Sequence, residues 1–96
     1  MTTQPYLPPE LDGPYLQPPR PLRTQAQRVF DRFHVTAYGM AKLLGMNVSV
    51  PYRWLYPSPK GTGGLVPTSA MRKIMRIARR EGVLMHSSDF DPRPLP

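Results

Sequence analysis

Residues 40–54 read Met40-Ala-Lys-Leu-Leu-Gly-Met-Asn-Val-Ser-Val-Pro-Tyr-Arg-Trp54, MAKLLGMNVSVPYRW. Met40, Ala41 and Leu44 fall at spacings of one, three and four, which puts them on one side of a helix. Gly45 stops that helix, because the left-handed position that closes a helix suits glycine. A second helix follows at once. Asn47 or Ser49 can cap it, and it runs to about Tyr56 before Pro57 ends it. Pro51 sits inside this second helix. Proline is tolerated in a first turn, where the N–H groups lack partners in any case. With Ser49 as the cap, Pro51 is the second helical residue. The helix then starts late and runs two turns, with Asn47 and Val48 in the turn before it.

Further helices extend on both sides. Thr24 reads as an N-cap for residues 25–33, with Val29, Phe30 and Phe33 on one face and Arg28 and Arg32 on the other. His34-Val35 breaks the pattern. Thr36 is the next cap, for residues 37–44. Residues 57–67 (PSPKGTGGLVP) are a Pro-, Ser- and Gly-rich loop. Thr68 is expected to cap a final helix over 69–81, closed by Gly82. Its stripe is Met71, Ile74, Met75 and Ala78, with Ile77 at the margin and Arg72, Lys73, Arg76, Arg79 and Arg80 around it. Val83-Leu84-Met85 can add a short extended piece. The expected fold class is all-α, a small four-helix domain over 24–85.

The ends differ from this middle. Ten of the 14 prolines lie in them. Residues 1–23 hold a repeat, Pro5-Tyr6-Leu7-Pro8-Pro9 and then Pro14-Tyr15-Leu16-Gln17-Pro18-Pro19. Proline fixes φ and removes donors, so this arm is expected to be polyproline II or disordered. It reads as a loose leader, or as a docking arm that lays Tyr6, Leu7, Tyr15 and Leu16 into a groove on a partner. Residues 86–96 are a polar, Pro-containing tail with Phe90 as its apolar anchor.

Charge narrows the partners. Residues 20–82 carry twelve of the thirteen cations against only Asp31 and Glu81, a net +10. A unit of this size with that charge expects a polyanion. There is no cysteine, so neither a disulfide nor a thiolate metal site is available. No apolar run reaches the ~18 residues of a membrane span. The start, Met1-Thr2-Thr3-Gln4-Pro5, has neither the basic nor the apolar stretch of a signal peptide. An enzyme is not expected, and no cofactor or metal. His34 and His86 are far apart without carboxylate partners in sequence, no nucleophile sits in a recognisable turn, and Asp89 and Asp91 read as a turn beside Pro92. Lys60-Gly61-Thr62-Gly63-Gly64 lacks the P-loop order, in which lysine follows the last glycine. Lys60 and the glycine amides can instead meet a nucleic-acid backbone, or the loop is simply surface.

Two short helices joined by a tight glycine turn form the helix-turn-helix layout. The stretch resembles that motif in phage and prophage regulators of the Cro/CI type, including the small YdaS-like ones. The small Ala41, the turn glycine Gly45, the flanking Met46 and the late large apolar Trp54 carry the resemblance as motif core. It covers about residues 25–84. Pro51 departs from the pattern, which usually has an aliphatic core residue there. Pro51 also leaves open a segment that binds something other than a major groove.

The resemblance implies a lambda-repressor-like, Cro-like domain and a sequence-specific transcriptional regulator. It would bind double-stranded DNA as a homodimer in the bacterial cytoplasm, nucleoid-associated when bound. A recognition helix held by its back through Trp54 and Met46 turns its other face to a groove about 12 Å wide. Ser49, Val50, Tyr52, Arg53 and Tyr56 are then the expected base contacts. Arg53 is matched to guanine by its fork, and Val48 or Val50 to a thymine methyl. Tyr38, Lys42, Asn47, Lys60, Ser69 and Arg72 are the expected backbone contacts. Val83–Met85 with Phe90 is the expected dimer contact. The alternative is an interaction protein of phage type. It would dock on RNA polymerase or another phage protein through Tyr6, Leu7, Tyr15 and Leu16 and the basic last helix.

Overall fold

The structure is a computed structural model that describes residues 21–96. The proline arm with Tyr6, Leu7, Tyr15 and Leu16 lies outside the described residues. The described residues form four α-helices: α1 (Gln25–Arg32), α2 (Ala37–Leu44), α3 (Ser49–Leu55) and α4 (Thr68–Glu81). A short 3-10 helix follows at Ser87–Phe90, and the only extended pairing among them is one antiparallel bridge between Arg23 and Leu95.

Local chemistry sets the helix ends. Thr24 and Gln27 form a reciprocal capping box on α1. The Thr36 hydroxyl accepts from the Gly39 amide at the start of α2. Gly45 at φ 65° and Gly82 at φ 73° close α2 and α4 in the left-handed conformation. Neither Asn47 nor Ser49 is the N-cap of α3: Val48 stands there without a side-chain cap bond, and Asn47 before it accepts from the Ser49 amide at 2.9 Å and the Ser49 hydroxyl at 2.8 Å. Since α3 begins at Ser49, Pro51 is its third residue. It is still in the first turn, and its ring is fully buried. The proline therefore fills the core position that an aliphatic residue was expected to fill. Thr68 does not cap α4. It is the first helical residue, and Pro67 before it makes no side-chain bond.

The core draws on every helix. Ala26, Val29 and Phe30 of α1, Met40, Ala41 and Leu44 of α2, Trp54 of α3 and Ile74 of α4 are all buried. The Phe30 and Trp54 rings lie 6.2 Å apart and tie α1 to α3. In α4 the buried stripe is Ala70, Met71, Ile74, Ile77 and Ala78. Met75 is exposed and Ile77 buried, the reverse of the expected assignment. The stripe faces α2 and is centred on Ile74, which turns position 75 outward. The Lys73 ammonium donates to the Leu44 carbonyl at 2.5 Å, so one cation of α4 closes the C-terminal end of α2.

The C-terminal residues return to α1. Arg28, expected on the outer face of α1, is buried, and its guanidinium donates to the carbonyls of Arg23, Ser88, Asp91 and Arg93. Arg32 grips the buried Asp89 carboxylate through two hydrogen bonds at 2.9 and 3.0 Å. Asp89 is thus the anchor of this segment, whereas Phe90, expected in that role, is partly exposed. Val83–Met85 carries no strand.

Candidate nucleic-acid interface

The candidate site is the outer surface of α2 and α3. In α3, Pro51 and Trp54 are buried, while Val50 and Leu55 are half-buried and pack on the core. Ser49, Tyr52, Arg53 and Tyr56 are exposed. Those four positions are spaced i, i+3, i+4 and i+7, so they share one stripe opposite the Trp54 grip. A helix of seven residues is about 10 Å long, enough to lie across one groove.

Four of the five residues expected to meet bases are therefore together. Val50 is not among them. Its side chain belongs to the apolar surface shared with Met46 and Trp54, and Val48 is the exposed valine. The burial of Pro51 accounts for this, because residues 50, 51 and 54 then mark the inner side. Among the described residues, the Arg53 guanidinium makes no ion pair and no hydrogen bond, leaving its five donors available. The Ser49 hydroxyl, in contrast, donates to Asn47 and is left with acceptor capacity.

The residues expected at a backbone are placed as follows. Tyr38 and Lys42 lie one turn apart on α2, both exposed, with the ammonium 5.2 Å from the ring centroid. Asn47 is exposed, but its amide oxygen is engaged by the Ser49 amide and hydroxyl. Ser69 and Arg72 are exposed at the start of α4, and Ser69 lines a groove with Met46, Val50, Trp54 and Lys73. The core positions Ala41 and Trp54 are buried, Met46 is half-buried, and Gly45 makes the turn. The Met46 amide donates back to the Ala41 carbonyl at 3.0 Å, locking the turn to α2.

The glycine loop has a different role from the one expected. The Gly61 amide donates to the Pro57 carbonyl and the Gly63 amide to the Tyr56 carbonyl, so neither is free for phosphate. The Thr62 amide and hydroxyl donate to the Arg53 and Trp54 carbonyls. The loop thus satisfies the C-terminal carbonyls of α3 and fixes where Arg53 and Tyr56 stand. Gly64 then joins the loop to α1, accepting from the Ala26 amide. Lys60 remains exposed at its edge. No reading of local pattern shows this capping role; the one signal was the density of glycine.

No family model, no curated protein and no solved structure matches this chain. Among the described residues no helix is long and apolar enough to cross a membrane.

Proposed function

We propose that α2 and α3 form a helix-turn-helix that reads duplex DNA, in a sequence-specific transcriptional regulator resembling the Cro/CI type. The observation that carries the reading is the α3 stripe. Ser49, Tyr52 and Arg53 share one outward face, continued by the exposed C-cap residue Tyr56, on a helix held from behind by Pro51 and Trp54. A recognition helix needs that division, because its partner groove admits only one side of it.

Arg53 contacts a guanine edge through its two-pronged guanidinium, and Tyr52 and Ser49 contact neighbouring base edges or phosphates. Tyr38, Lys42, Lys60, Ser69 and Arg72 position the domain on the backbone. Two copies bind an inverted repeat with half-site centres about one helical turn apart, ~34–36 Å. Binding falls steeply with salt, since phosphate contacts supply most of the affinity.

The test compares Arg53→Ala with Arg72→Ala on a preferred and a random duplex. The reading expects Arg53→Ala to lose discrimination by about 1–3 kcal/mol and Arg72→Ala to weaken both duplexes alike. Equal losses on both duplexes for Arg53→Ala contradict its role.

A second reading rests on α4. Arg72, Arg76 and Arg79 are exposed there without carboxylate partners among the described residues. In that reading the chain is an interaction protein whose basic helix meets an acidic protein surface.

A further inference from the structure

Away from the α2–α3 face, a groove runs between the C-terminal half of α4 and the segment after it. Met75, Ala78, Val83, Met85 and Phe90 line it, with Arg79 at its edge. Met75 and Phe90 are each 38% exposed there, although both are apolar. A docked apolar side chain would remove that surface from water. On α4, Arg72 and Arg79 stand three residues before and four after Met75, on the same side of the helix. The groove is therefore an apolar slot with Arg79 at its edge and Arg72 further along the same side of α4. A second copy of the same face would set arginine against arginine, which disfavours self-pairing, so the dimer contact expected at Val83–Met85 and Phe90 is not assigned to this groove. The slot calls for apolar side chains flanked by carboxylates.

The chain itself contains such a segment. Residues 5–16 read PYLPPELDGPYL, with Leu7, Leu11 and Leu16, Tyr6 and Tyr15, the acids Glu10 and Asp12, and no cation. Its point of entry into the folded domain is close to the groove. The Arg28 guanidinium donates to the Arg23 carbonyl at 2.7 Å and to the Ser88 carbonyl at 3.0 Å. One guanidinium thus joins the root of the arm to the 3-10 helix that carries Phe90. Ten extended residues span roughly 30 Å, more than this short path needs. A tether of that length also holds the segment at an effective concentration on the order of millimolar.

We propose that residues 5–16 seat in cis on this groove, with Leu11 between Met75 and Phe90 and the carboxylates of Glu10 and Asp12 against Arg79 and Arg72. The docking covers the exposed apolar surface and neutralises two cations of α4. It competes with the backbone contact proposed for Arg72, and is otherwise independent of whether α3 reads DNA.

The test uses the full chain, which has no native cysteine to interfere. Gly13→Cys carries a nitroxide, and the methionine methyls are observed by NMR. The expected result is that the Met75 and Met85 methyls lose intensity several-fold relative to the buried Met40 and Met71 methyls. The loss persists when spin-labelled chain is diluted with unlabelled chain. Arg72→Glu with Arg79→Glu abolishes it, and adding Glu10→Lys with Asp12→Lys restores it. The dispersed Met40 methyl reports that each variant is folded. Equal broadening of all four methyls overturns the proposal. So does broadening that appears only when isotope-labelled chain is mixed with a separate spin-labelled chain, which assigns the groove to the arm of another copy.

Discussion

The carboxylate of Asp89 is wholly buried and takes two hydrogen bonds from Arg32, a residue 57 positions earlier in the chain. A third comes from the His86 amide at 2.8 Å. This pair fastens the C-terminal segment to α1. Asp89→Asn leaves Arg32 without its counter-charge, and removing one partner of a buried pair is costly. Arg32 keeps some exposure, so the expected loss is about 2–4 kcal/mol in urea unfolding. A change within experimental error contradicts the anchoring role.

The same pair fixes an acid dependence. Burial pushes the Asp89 carboxyl up, but the Arg32 guanidinium and the His86 amide outweigh it and hold the group below its ordinary value. Asp91 is drawn down to about 2 by hydrogen bonds from Arg93. A carboxyl whose folded value is depressed stabilises fully above the unfolded value, about 3.9, and its contribution is lost as pH falls through the folded value. Stability is expected to be flat from pH 7 to about 5 as far as these groups are concerned, and to decline below about pH 4. Asp89→Asn shows a shallower decline. An acid transition unchanged in that variant contradicts the assignment.

Gly61 and Gly63 are expected to separate space from backbone geometry. A Cβ at Gly61 overlaps the Arg53 carbonyl oxygen and lies 2.6 Å from that of Tyr56, whereas a Cβ at Gly63 meets nothing within 4 Å. Gly61→Ala must displace the loop that caps α3, at a cost of about 2 kcal/mol or more. Gly63→Ala carries only the left-handed penalty of its φ of 71°, about 1–2 kcal/mol. Thermal unfolding of the two variants gives the order, and a larger loss at Gly63 contradicts it.

Trp54 is the grip behind α3, buried to 2% exposure and packed on Phe30. Trp54→Ala is expected to destabilise the domain by about 3–5 kcal/mol. Tyr52→Ala, two residues earlier and on the exposed stripe, is expected to stay within about 0.5 kcal/mol. Comparable losses for the two contradict the division of α3 into inner and outer faces.

What was legible in the sequence follows from the range of the interactions. Thr24, Thr36, Gly45 and Gly82 act on their own helix ends, within three or four residues, and each sits where its local chemistry predicts. The inner Trp54 and outer Tyr52 and Arg53 are implied by the helix-turn-helix resemblance, and their burial and exposure agree with it. Arg28, Asp89 and Val50 did not follow. Arg28 and Asp89 are buried because a segment some 60 residues away folds back on α1, which no local pattern encodes. Val50 is turned inward because Pro51 is used as a core residue. Met75 and Ile77 exchanged places because a helix wheel does not tell which side of a broad apolar stripe meets the neighbour.

The central claim is that the outward stripe of α3 reads a specific duplex. Selection of bound duplexes from a random pool at about 150 mM salt, followed by sequencing, tests it most directly, because non-specific phosphate contacts are weakened there. The account predicts an enriched inverted repeat whose half-site guanine loses its preference in Arg53→Ala. Binding that enriches no sequence and vanishes as salt rises would contradict it.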